Sequence, residues 1–345
     1  MTLSIRMVDI ARAAGVSITT VSHVINGTRS VAPATRARVH ESMRLLGYAR
    51  DVGVRPVRAA TRAIGLAMTA TASDAYWVDL IRGASAAAEA AGLGLVVVDT
   101  RDDPRHEASA VATLLDRGVD GLIVAPAHGW RDLPCPVLRD VPVPFVVVDR
   151  FCELPVDQVG VENEASASAV VDHLLAIGHT RIAMIAGLRG LSTTEERVRG
   201  YELAHKIRQV PTDVALLACG ESSYEGGRKA MLDLLEVNPP PTAVFAANNN
   251  MVIGAIAALR AAGVHVPHEM AVVGFDDFPW ADYFDPGLTT VAQPAGTIGA
   301  RAAQLLLRRL DDGAAPAQVN RYPAEIMHRS SCGCGHLRAL APTAV

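Results

Sequence analysis

The chain has 345 residues, half of them apolar but only 4% aromatic, with a net charge of −4. It can therefore bury the cores of two or three Ala/Val/Leu-rich domains, and no apolar run of about 18 residues exists to span a bilayer. Five scattered cysteines (135, 152, 219, 332 and 334) exclude a disulfide framework, and Met1–Met7 lacks the apolar stretch of a signal peptide, so the chain reads as cytoplasmic.

The first elements are two short helices. Ile10, Ala13 and Ala14 give a first helix over 8–14 one buried face, and Gly15 ends it. Ser17 caps a second helix over 18–25, where Val21, Val24 and Ile25 recur at three-and-four spacing and leave Ile18, Thr19, Ser22 and His23 on other faces. The same pattern occurs in ordinary helical cores, and charge separates the two readings. Residues 1–62 carry ten arginines against Asp9, Glu41 and Asp51, a net +7, which leaves −11 for the remainder. A basic head on an acidic body is the footprint of a segment that meets phosphate. A third helix is expected from Pro33 to just before Gly47, with Val39, Met43 and Leu46 as its stripe, followed by an arginine-rich linker over 48–62.

From Ile64 the chain alternates short apolar runs with longer helical patterns. Strands are expected at 64–68, 93–98, 121–125 and 143–148, then at 181–186, 214–218, 243–246 and 271–274. This predicts an α/β class with two doubly wound parallel sheets. Ligands bind such sheets outside the carboxyl ends of the strands. Asp99, Asp149 with Arg150, Asn248 with Asn249, and Asp276 with Asp277 stand at those ends. A single Asp there is commonly a cap or turn residue, and it is the shared location that marks the set. Cys332-Gly-Cys334-Gly-His336 lacks the four ligands at longer spacing of a structural zinc site, so the tail is read as a plain terminus with no metal and no cofactor. No G-x-S-x-G, phosphate-binding loop or H-E-x-x-H occurs, which argues against an enzyme.

Collinear motifs then run along nearly the whole chain. They include Asp9-Ile-Ala, Ala14-Gly-Val-Ser17, Thr20-Val-Ser22, Val24-Ile-Asn26, Leu46-Gly-Tyr48, Val119-Asp-Gly-Leu-Ile123, Asp149-Arg150, Gly200-Tyr201, Val273-Gly-Phe-Asp-Asp277 and Arg329-Ser330-Ser331. With these the chain resembles the lac repressor family of bacterial transcription regulators. The resemblance implies a helix-turn-helix head (1–48), a hinge (49–62), a two-lobed core like a periplasmic binding protein (63–332) and a tail (333–345). The lobes would take about 63–163 with 292–322, and about 164–291 with 323–332. It further implies a homodimer on double-stranded operator DNA, with no membrane partner and with affinity set by a small effector, most simply a sugar. A nucleoside- or purine-responsive regulator and a solute-binding module with a vestigial head are the alternatives.

Residue by residue, the resemblance places DNA contacts at Ser17, Ile18, Thr19, Thr20, Ser22, His23 and Asn26. His23 stands where the family commonly has arginine. In the hinge, Arg50 and Asp51 replace the usual Pro-Asn, Gly53 and Pro56 oppose a regular helix, Val57 is the candidate minor-groove wedge, and Arg50, Arg55 and Arg58 are candidate phosphate contacts. Effector contacts are implied at Asp149, Arg197, Asn248, Asp276 and Gln293. Glu221 falls where the family often places a stacking aromatic, leaving Tyr76, Trp77 or Trp280 to supply that platform.

Overall fold

A computed structural model describes residues 7–26, 31–32, 34–35, 38–39, 41–42, 61–69, 74–130, 137–139 and 141–334. It divides into two units, 1–59 and 60–345.

In the first unit, α1 (Met7–Ala14) and α2 (Ile18–Asn26) are joined through Gly15 at φ +64°. The Gly15 and Val16 amides donate back to the carbonyls of Arg12 (3.4 Å) and Ala11 (3.0 Å), a glycine-dependent helix stop. Ser17 Oγ then accepts from Thr20 N at 3.1 Å and caps α2. Ile10, Ala11, Ala14, Val21 and Val39 form a small buried cluster with Val16 and Val24 at its edge. Ala11 thus takes the inward position expected of Ala13, which is exposed. Residues 34–35, 38–39 and 41–42 are helical, whereas Met43, Leu46 and hinge residues 49–60 lie outside the described residues.

The second unit holds two six-stranded sheets. The first contains β1 (Ala63–Met68), β2 (Gly94–Asp99), β3 (Gly121–Val124), β4 (Phe145–Val148), β5 (Asp157–Val161) and, from far along the chain, β11 (Val319–Tyr322), in the order 11-5-4-3-1-2. The second contains β6 (Ile182–Ala186), β7 (Leu217–Cys219), β8 (Ala243–Ala246), β9 (Ala271–Phe275), β10 (Thr289–Ala292) and β12 (Glu325–Met327), in the order 12-10-9-8-6-7. All pairings are parallel except β10 with β12. Central strands such as β6 and β9 are buried throughout, as expected when helices cover both faces. The chain passes between the sheets three times, after β5, after β10 and after β11. Each lobe is therefore assembled from discontinuous segments, and the three crossings lie together as a hinge.

Helices α3 (Asp74–Ala90), α4 (Pro104–Asp116) and α9 (Ala295–Asp311) serve the first lobe. The second uses α5 (Asn163–Ala176), α6 (Ser192–Arg208), α7 (Tyr224–Leu235) and α8 (Asn249–Ala261). Helices α3 and α9 touch through glycines: a Cβ on Gly299 would stand 2.0 Å from the Leu80 carbonyl oxygen, and one on Gly83 1.9 Å from that of Gly296. Because the obstacle is backbone, the two helices must separate to admit a methyl group. Gly299→Ala is expected to destabilise the protein by about 1–3 kcal/mol, the usual cost of overpacking. Urea unfolding of the variant measures this, and an unchanged midpoint would contradict the close approach.

Candidate functional site

Between the two sheets, at the carboxyl ends of their strands, the turns after β4, β6, β8 and β9 converge with the start of α3 and the crossover after β10. Tyr76, Trp77, Asp149, Arg150, Thr194, Arg197, Ser222, Asn248, Asp276 and Gln293 line the resulting cavity of about 50 Å³. Seven of the eight residues implied as effector contacts come together here. Glu221 does not. The backbone turns through φ +52° and +54° at Glu221 and Ser222, so Glu221 is exposed and Ser222 lines the cavity in its place. Ser222 is held there by the Leu188 amide, which donates to its Oγ at 3.1 Å. Trp280, 48% exposed, belongs to a separate surface cavity with Tyr283 and Phe284.

Asp149 and Asp276 occupy equivalent positions in the two lobes, each the first residue after its strand, with φ +66° and +69°. Aspartate tolerates this left-handed backbone better than branched residues do. Arg197 lies between the lobes' polar ends. Its Nε donates to Asn163 Oδ1 (2.9 Å), one terminal nitrogen donates to the Ala247 carbonyl (2.6 Å), and its plane covers the Phe275 ring at 3.7 Å. Its other terminal nitrogen stands 3.9 Å from Asp276, close enough for ionic attraction but not for a hydrogen bond. Arg150 is already engaged, paired through both terminal nitrogens with Asp102 and donating to the Pro126 carbonyl at 2.9 Å. Asn248 spends its amide on structure, capping α8 through the Met251 amide (2.8 Å) and holding the Ser222 carbonyl (3.1 Å).

Burial decides the electrostatics. Desolvation raises the Asp149 pKa against the opposing pull of Arg150 and Arg197, and desolvation likewise raises that of Asp276 despite Arg197 and a hydrogen bond from Gln293. Tyr76 is pushed well up, first by burial and then by the charge of Asp149. Its Oη does not reach hydrogen-bonding geometry with that carboxylate. Tyr76 Oη, Trp77 Nε1 and Gln293 Oε1 are all buried without a partner. Buried polar atoms are normally satisfied, so three orphans on the walls of one cavity mark a place where a polar ligand belongs.

A second chamber of about 460 Å³ adjoins the first and shares Arg150 and Leu191 with it. His128, Trp130, Phe151, Glu153, Ser192 and Glu195 line it, and none of these was singled out in the sequence. Their signal is weak because His128, Phe151 and Glu153 lie beyond the strand-end positions, and Ser192 and Glu195 belong to the first turn of α6.

The head presents a different surface. Ser17, Ile18 and Thr19 are exposed at the start of α2, Thr20, Ser22 and His23 are half-buried, and Ile18 keeps 51% of its surface in water. A large apolar side chain at the exposed start of a helix suits contact with a thymine methyl in the major groove. The Asn26 side chain and Arg50, Arg55, Val57 and Arg58 lie outside the described residues.

Comparison with known proteins decides between the readings. Residues 6–51 match the bacterial regulatory proteins of the lacI family, and residues 171–332 match a periplasmic binding protein-like domain. The HTH-type transcriptional repressor PurR of Aliivibrio fischeri (strain MJ11) is 32% identical over 94% of this chain and 97% of its own length. The chain belongs to the lacI family of bacterial regulatory proteins. Among solved structures, a CelR–cellobiose complex superposes with a TM-score of 0.74 at 31% identity, covering 95% of this chain and 99% of the other. A lac repressor dimer bound to operator and the anti-inducer ONPF superposes at 0.71 with 26% identity, covering 95% and 99%. This lacI-family chain is accordingly a DNA-binding transcription regulator controlled by an effector. No helix among its described residues is long and apolar enough to cross a membrane.

The raised carboxylate pKa gives a signed prediction. A folded-state pKa above the unfolded value means the folded chain binds more protons than the unfolded chain as pH rises past the ordinary carboxylate range, so this contribution to stability falls with rising pH. Asn tolerates the same left-handed backbone. Asp149→Asn should match the wild type near pH 4 and become the more stable protein towards pH 7. Paired urea titrations across that range test this, and a difference that does not change with pH would refute the buried-charge assignment.

Proposed function

We propose that the chain is a cytoplasmic, homodimeric repressor whose affinity for a near-palindromic operator is set by a carbohydrate bound between the lobes. The observation that carries the choice of ligand is the donor and acceptor set. Two acceptor-only carboxylates, Asp149 and Asp276, face a guanidinium with a free edge on Arg197, while Gln293 Oε1, Trp77 Nε1 and Tyr76 Oη lack partners. Vicinal hydroxyls donate and accept at once, so a sugar ring answers all of these groups. A purine offers fewer donors to two carboxylates. Kinship with PurR keeps that reading as the second one.

A cavity of about 50 Å³ is far below the roughly 300–1,000 Å³ of ordinary ligand sites, so a sugar ring enters only when the lobes part. The adjoining 460 Å³ chamber, beginning at the shared Arg150 and Leu191, would receive a second ring. This supports a disaccharide or longer effector, in line with the cellobiose-bound CelR structure. Arg197, Asp149, Asp276 and Gln293 would hold the first ring, and the lobe movement would alter the placement of the two heads in the dimer. Two half-sites about one helical turn apart are expected, and His23 should shift base preference relative to an arginine by about 1–3 kcal/mol at its position.

Thermal denaturation against mono-, di- and oligosaccharides, nucleosides and purine bases tests the ligand class. A ligand present at about 100 times its Kd raises stability by ~2.7 kcal/mol. A sugar should produce that shift in the wild type and none in Arg197→Met. A shift with a purine base and with no sugar would overturn the carbohydrate reading and leave the regulator reading intact.

A further inference from the structure

The segment 328–334 is pinned to the second sheet. Ser331 Oγ donates to the Val272 carbonyl (2.7 Å) and accepts from the Thr289 amide (2.8 Å), and Arg329 grips Asp277 with both terminal nitrogens (2.8 and 3.2 Å). This anchoring carries a fully buried Cys332 and a half-buried Cys334 to the last turn of α5, where His173 lies. The two Sγ atoms are 3.3 Å apart, and His173 Nε2 is 3.4 Å from Cys332 Sγ. The His173 and His328 rings meet edge to face with 4.6 Å between centroids. The ligand atoms of His173, His328, Cys332 and Cys334 all lie within 4.8 Å of one another.

We propose that these four side chains form a zinc(II) site that staples the 328–334 segment to α5. Tetrahedral zinc, with Zn–S of about 2.3 Å and Zn–N of about 2.0–2.1 Å, sets its ligand atoms roughly 3.3–3.8 Å apart. The sulfur–sulfur and nitrogen–sulfur separations are already at or near that spacing, and the widest pair needs to close by only about 1 Å. Two thiolates and two imidazoles without a carboxylate select zinc over the oxygen-seeking magnesium and calcium. Four protein ligands leave no open position, which is the arrangement of a structural site. None of the four lines the inter-lobe cavity, so the site is separate from the effector's. The sequence conceals it because the tail supplies three ligands, His328, Cys332 and Cys334, whereas the fourth, His173, lies 159 residues before Cys332.

The test uses the untagged full-length chain, stripped with chelator under reducing, oxygen-free conditions and titrated with cobalt(II) as a spectroscopic probe for zinc(II). The expected result is one equivalent of cobalt with intense tetrahedral d–d bands and sulfur-to-metal charge transfer, displaced by one equivalent of zinc. Cys334→Ser and His328→Gln, each checked for wild-type circular dichroism in chelator, should each weaken zinc binding about 100-fold. Absence of the charge-transfer band in the reduced wild type would overturn the proposal. So would undiminished zinc affinity in either folded variant, or a Cys332–Cys334 disulfide whose reduction yields a protein that still takes no metal.

Discussion

A single polar chain joins the two lobes of the core and runs from the first sheet to the effector cavity. Arg321 on β11, in the first sheet, clasps Glu196 of α6 with two hydrogen bonds of 2.8 and 3.0 Å. Glu196 accepts from Asn163 (2.9 Å), Asn163 accepts from Arg197 (2.9 Å), and Arg197 faces Asp276 across 3.9 Å. Glu196, Asn163, Arg197 and Asp276 are all buried, so each charge needs its neighbour. The chain ends in the cavity at the one link that is not closed, the gap between Arg197 and Asp276. A ligand inserted there would complete it. Displacement of the lobes would instead strain its other end, at the Arg321–Glu196 clasp.

That arrangement explains why a regulator would keep costly groups in a closed interior. Desolvation outweighs attraction for both Asp149 and Asp276, and three polar atoms stand unsatisfied beside them. Such groups cost stability where they stand unsatisfied and raise the differential affinity for a ligand that satisfies them. Only a difference in affinity between states can move a conformational equilibrium. By linkage, any coupling from effector to operator acts equally in the reverse direction.

The sequence made the doubly wound core legible because buried parallel strands are apolar runs, and β1, β3, β6, β8 and β9 lie close to where those runs stand. Four strands were not legible, for a physical reason in each case. β5 opens with Asp157 and Gln158, buried only because Arg308, Arg309 and the Cys152 and Leu154 backbone satisfy them. β10 begins with two buried threonines held by Ser331, Arg329 and Asp277. β11 and β12 are edge strands with exposed polar positions. The 214–218 run became a short helical turn before a three-residue strand, with Asp213 accepting from the Ala215 amide. Asp149, Asn248 and Asp276 converge because the fold fixes strand ends, and Arg197 joins them from α6; Asp99 and Asp277 do not line the cavity. Glu221 does not reach the cavity because left-handed backbone at Glu221 and Ser222 turns Ser222 inward in its place, and alignment does not register that. The tail was read as a plain terminus because it carries His328, Cys332 and Cys334 but not His173, which tertiary structure alone brings beside them.

The proposed function requires that the effector occupy the gap between Arg197 and Asp276 and that its binding change operator affinity. Operator affinity of the wild type and of Asp276→Asn, measured by fluorescence anisotropy across a titration of the sugar identified by thermal denaturation, tests this most directly. The two proteins are expected to bind operator equally without sugar, and sugar is expected to change wild-type affinity by at least about tenfold, within the usual range of allosteric coupling, while leaving the variant unmoved. A variant that responds to sugar as the wild type does would contradict that requirement.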